Sequence, residues 1–158
     1  MRSFTDSAGR TWTVALSIGA VKRVKGLLDV DLLAMLKGDP PLITRLGTDV
    51  VLLCDVIFAL VKPQADETSV TDEQFGAALG GDAILSARRA FYEELADFFL
   101  HMGRPDVARA LQMQDAMIVA SVAEAQRRVE AIDPTAEVKA IWAEGPQVPQ
   151  APRATPGE

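Results

Sequence analysis

The chain has 158 residues, 49% of them hydrophobic and 24% charged, the balance of a globular domain and not of a disordered chain. Sixteen Lys and Arg against twenty-two Asp and Glu leave a net charge of −6, which repels a phosphate backbone over most of the surface and argues against nucleic-acid binding. A single cysteine, Cys54, excludes an intrachain disulfide and, set in an apolar run, reads as a small core residue.

The opening MRSFTDSAG lacks the apolar core of a signal peptide. Phe4–Asp6 and Thr11–Leu16 read as two short strands around Ser7-Ala8-Gly9-Arg10. Asp6 and Ser7 favour entry into a turn, and Gly9 supplies the positive φ of a tight hairpin. Trp12, Val14 and Leu16 share one face of the second strand, with Thr11, Thr13 and Ala15 on the other. A lone hairpin is barely stable in water, so the Trp12 face must lie on the helices that follow.

Ser17 is an N-cap for a helix to about Leu28, with Ile18, Val21, Val24 and Leu28 as its apolar stripe and Lys22, Arg23 and Lys25 on its outer side. Residues 29–48 are less regular: a helical turn over Asp31–Leu36, a break at Gly38-Asp39-Pro40-Pro41, then a helical start over Leu42–Leu46. Asp49 caps a helix through VVLLCDVIFALV that is expected to stop at Lys62-Pro63. Its window Val50–Val61 carries Asp55 and falls short of the roughly 20 residues that span a bilayer, so it reads as a central core helix. Thr71 and Gln74 form a capping box, with Val70 and Phe75 placed as a hydrophobic staple. That short helix ends at Gly80-Gly81, and Asp82 opens the next, with a stripe of Ile84, Arg88, Phe91, Leu95, Phe98 and Met102. Gly103 suits a C-terminal cap and Pro105 the first turn of a long helix over residues 105–132, with Leu111, Ile118, Val122, Ala125, Val129 and Ile132 along one side. Asp133-Pro134 ends it and opens a short helix reaching Trp142, and the Pro-rich GPQVPQAPRATPGE reads as a disordered tail.

The fold class expected is therefore mainly α: a hairpin over residues 1–16, a single helical domain over 17–143 and a disordered tail over 144–158. The chemical inventory is poor. The one histidine, His101, stands near a helix end, where it complements the dipole, and no nucleophile is set beside it. A zinc site needs about four nitrogen or sulfur ligands, and His and Cys together supply two residues. Gly76 and Gly80-Gly81 follow no strand and lead to no phosphate-binding lysine. No catalytic, cofactor or metal residue is assigned. Asp55, alone among apolar neighbours, should pair with the basic cluster of the first helix or with Arg88. Lys22, Arg23 and Lys25 read either as a solvated helix face or as a docking patch for an acidic partner. Trp12, Gly9, Asp55, Thr71 and Gln74 are the expected structural anchors. The long helix suits packing within a bundle, self-association or a helical ligand.

The hairpin pattern F-x-D-x-x-G-R-x-W, here Phe4, Asp6, Gly9, Arg10 and Trp12, resembles the opening of many small proteins of phage and prophage tail clusters. The runs VKRVKGLLDVDLLAML, LLCDVIFALVKPQAD and TDEQFGAALGGDAI are similar to an uncharacterised family of that kind, which shares size and layout with the tail assembly chaperones of long-tailed phages. The resemblance covers roughly residues 4–100 and carries over no site residue. It implies a non-enzymatic protein, without cofactor, in the cytoplasm of the bacterial host. Such a chaperone coats the helical tape measure protein, helps recruit the tail tube protein and is absent from the finished virion. The alternatives are a structural virion component, such as a tail or head–tail connector protein, and a regulatory or DNA-associated helical protein, which the acidic balance disfavours.

Overall fold

Strands β1 (Arg2–Thr5) and β2 (Thr11–Val14) pair antiparallel, with Phe4 opposite Trp12. The turn between them closes where Gly9 takes φ 79°, a conformation that costs a residue with a Cβ. A computed structural model describes residues 1–132 together with Thr135 and Lys139. The expected short helix towards Trp142 and the tail from 144 lie outside the described residues. The chain divides into two compact units, Met1–Ala120 and Ser121–Glu158, so the hairpin belongs with the helices that follow it.

Those helices are α1 (Ile18–Leu28), α2 (Leu42–Thr48), α3 (Val50–Glu67), α4 (Asp72–Ala77), α5 (Asp82–His101) and α6 (Pro105–Glu130), with a 3-10 turn over Leu32–Ala34. The fold is mainly α, with a two-stranded hairpin at its N-terminal end. Several boundaries follow directly from side chains that take up the free N–H groups of a first turn. Ser17 accepts from Ala20, Asp49 from Leu52 and Asp31 from Leu33. At α4 the capping box is complete: the Thr71 hydroxyl accepts from the Gln74 N–H at 3.2 Å, and the Gln74 side chain accepts from the Thr71 N–H at 3.1 Å.

The core lies where α3 and α5 meet the hairpin and α1. Trp12, Val14, Val24, Val56, Ile57, Phe75, Phe91 and Leu95 are all nearly or fully inaccessible there. Three expectations need correction. Helix α3 does not stop before Pro63 but runs on to Glu67. Proline has no N–H for the carbonyl four residues back, which is that of Ala59, and the Arg23 guanidinium supplies the missing donor, 2.8 Å from that oxygen and 3.1 Å from the Leu60 oxygen. On α1, Ile18 is exposed, and Ala20 is buried with Val21 and Val24. On α5 the buried face is turned toward Ala83, Ala87, Ala90 and Ala96, beside Phe91, Leu95 and Phe99, while Met102 is exposed. Alanines allow the close approach of neighbouring backbone that bulkier side chains prevent, and a stripe read from large residues alone misses them.

Helix α6 is buried only at Val107, Ala108 and Leu111. It also comes close to α2 at Gly47, where a Cβ would stand 2.7 Å from Gln114 Nε2 and 2.9 Å from Ile118 Cδ1.

Candidate functional site

The hairpin is built as an anchor. Asp6 is buried and accepts from the Ala8 and Arg10 N–H groups, from Arg10 Nε at 2.7 Å and from Trp12 Nε1 at 2.9 Å. Burial pushes its carboxyl up, and the hydrogen bonds from Trp12 and Arg10, with the Arg10 charge, outweigh burial and hold it below the usual carboxylate value. The Trp12 ring meets Phe75 of α4 edge-on at 5.2 Å, and Phe75 also touches Phe58 of α3 at 5.2 Å. Backbone links complete the fastening: the Ser7 N–H donates to the Ala78 carbonyl, and Arg10 donates to the Gln74 carbonyl. The Gln64 side chain donates to the Thr13 carbonyl at 2.7 Å and accepts from the Thr13 N–H at 2.9 Å. It thereby occupies backbone groups on the free edge of β2 that would otherwise be open to another strand.

The basic cluster is divided among different tasks. Arg23 is half-buried and spent on the α3 carbonyls, and Lys25 bonds Asp31 at 3.0 Å. Lys22 is exposed. His101 donates through Nδ1 to the Asp97 carbonyl at 2.7 Å on its own helix.

Asp55 departs from expectation. Among the described residues it makes no ion pair: Arg23 is turned to backbone, and Arg88 faces Asp115 at 3.5 Å. Its carboxyl is raised by burial first, then by the neighbouring carboxylates of Asp72 and Asp49. It stands instead on the wall of a surface trench of about 300 Å³, formed with Leu27 and Leu28 of α1, Phe58, Ala59 and Lys62 of α3, and Asp72 of α4. A second cleft shares Phe58, Lys62 and Asp72 and extends the trench past Ala65 to Ser69 and Thr71.

Between β1, α5 and α6 lies a smaller polar cleft of about 150 Å³, lined by Arg2, Tyr92, Asp97, Gln112 and Asp115 among others. Of its lining atoms the buried Tyr92 hydroxyl and Asp115 Oδ1 have no hydrogen-bond partner among the described residues, and burial pushes the Tyr92 hydroxyl up to about 12.

The other candidate surface is α6 itself. The face that is buried at Val107, Ala108 and Leu111 continues at helical spacing through Ile118, Val122, Ala125 and Val129, and the helix ends at Glu130, short of the Ile132 expected on the same side. Val122, Val129 and Ile132 are exposed, and a cleft of about 380 Å³ lies along Val122, Ala125, Gln126, Val129 and Glu130. Met113 and Met117, also exposed, stand on the opposite side. This stripe was legible from spacing alone, whereas the trench was not, because it joins residues of α1, α3 and α4 that are far apart in sequence.

Among the described residues no group of three or more His, Cys, Asp or Glu is placed to hold a metal ion. No helix among them is long and apolar enough to cross a membrane. Compared with protein-family models, curated proteins and solved structures, the chain finds no match in any of the three.

Proposed function

We propose that this chain is a non-enzymatic helix-binding protein acting as a phage tail assembly chaperone, with the tape measure protein as its partner. The observation that carries this reading is the apolar stripe of α6, kept at helical spacing through Val122 and Val129 although these side chains are exposed. An exposed apolar stripe at that spacing is the surface an amphipathic helix packs against. Met113 and Met117 add a flexible, polarizable surface on the other side of the helix, suited to partners of varied shape. The N-terminal phrases and their resemblance to tail-cluster proteins narrow the partner to the tape measure protein, and the host cytoplasm is where that partner is made. A tail tube subunit would join once the tape measure protein is covered.

Mass spectrometry of purified particles beside the producing lysate tests the reading. A chaperone is abundant in the lysate and missing from the particles. Stoichiometric presence in the particles overturns it in favour of a structural virion component.

A further inference from the structure

The trench along α3 has a chemistry distinct from the α6 stripe. Its floor is apolar: Ala59 is buried, Leu28 and Phe58 are half-buried, and Leu27 is 56% exposed at the rim. The Phe58 ring is packed against Phe75 at 5.2 Å, and Lys62 Nζ stands 6.0 Å from its centroid. From Asp55 to Asp66 the wall follows roughly 16 Å of α3 at about 1.5 Å per residue, the length of three turns of a helix laid beside it.

The sign of the trench is set by its carboxylates. Asp55 and Asp72 line the first cleft, and Asp66 and Asp72 the second, against the single ammonium of Lys62. That ammonium is already bonded to Asp66. Asp55 and Asp72 make no ion pair among the described residues. An apolar floor beside two uncompensated carboxylates fits a side chain with an apolar stem and a cationic head.

We propose that this trench is a docking site for a partner helix that presents a lysine or arginine among apolar residues. The cation sits between Asp55 and Asp72, and the apolar neighbours lie on Leu27, Leu28 and Phe58. Burial first, then the repulsion of Asp72 and Asp49, raises the Asp55 carboxyl, and an arriving cation offsets the repulsive part. The site shares no lining residue with the cleft on α6 and does not depend on which protein supplies the helix.

The test uses the full chain and two synthetic amphipathic helical peptides, one of leucine and lysine and one of leucine and glutamate. Binding is followed by NMR shifts of the Leu27 methyls and the Phe58 ring, and by calorimetry at low and high salt. The lysine peptide is expected to shift both residues, and the double variant Asp55→Asn, Asp72→Asn to weaken that binding about tenfold and flatten its salt dependence. The paired change Val122→Asp, Val129→Asp on α6 should leave it intact, so failure here is distinguishable from failure of the tape-measure reading. Equal binding of both peptides, undiminished binding by the Asn variant, or shifts confined to α6 would each overturn the proposal. Concentration-dependent shifts at Leu27 and Phe58 without peptide would also overturn it, because the occupant would then be a second copy of this chain.

Discussion

Asp6 shows how much one turn residue can carry. Its carboxylate receives the Trp12 indole, two backbone N–H groups and the Arg10 guanidinium within a site closed to water. Asp6→Ala leaves those donors unpaired, and we expect a loss of about 3 kcal/mol in urea unfolding. The pH dependence follows from its lowered carboxyl. Its stabilisation is present above the ordinary value of 3.8 and is lost as pH falls through the lower value of the folded state. Asp6→Asn should therefore flatten the acid limb of the stability curve. Asp55 acts in the opposite sense. Its carboxyl is raised in the fold, so the folded chain loses stability as pH climbs from 3.8 through the raised value. Asp55→Asn should raise the melting temperature at pH 7 and leave it unchanged near pH 3, and equal melting temperatures at both would contradict this assignment. A residue that weakens the fold at neutral pH while lining a trench fits the trade of stability for binding. The sequence read Asp6 as a turn former because the turn is local. The Trp12 contact that gives the carboxylate its larger part depends on the hairpin being folded.

At the scale of elements, the pairing of Arg23 with Pro63 decides the length of α3. The proline removes the donor for Ala59, and the guanidinium replaces it across α1 and α3. Arg23→Ala should cost about 1–3 kcal/mol, the price of a buried carbonyl left without a donor. In a Pro63→Ala background, where the backbone N–H returns, the same change should cost less, and a double-mutant cycle measures the difference as a coupling energy. A coupling near zero would contradict the exchange of donors. From sequence alone Pro63 is a stop signal, because the residue that compensates for it lies forty positions upstream. Caps were far more legible: Ser17, Asp49, Thr71 and Gln74 act within one turn of their own position, where the physics is local. The face of α5 is hard to read from sequence for the opposite reason. The alanines that line it declare themselves only once β1 and its neighbours are packed against them.

For the molecule as a whole, fold class was readable and the candidate sites were readable in part. Periodicity alone marked the α6 stripe, and only the packing of α1, α3 and α4 created the trench. The expected ion pair at Asp55 does not form among the described residues: of the basic cluster Arg23 is bonded to carbonyls, Lys25 to Asp31 and Lys22 is exposed, and Arg88 faces Asp115. The central claim is that α6 covers the apolar face of a partner helix. Its most direct test is co-expression of the full chain with the tape measure protein, scored by how much of that partner stays soluble. We predict a soluble complex with the native chain. With Val122→Asp, Val129→Asp the partner should become insoluble while the variant keeps its own helical spectrum and melting temperature, since both positions are exposed. A partner that is equally soluble with native chain, with variant and alone would contradict the claim.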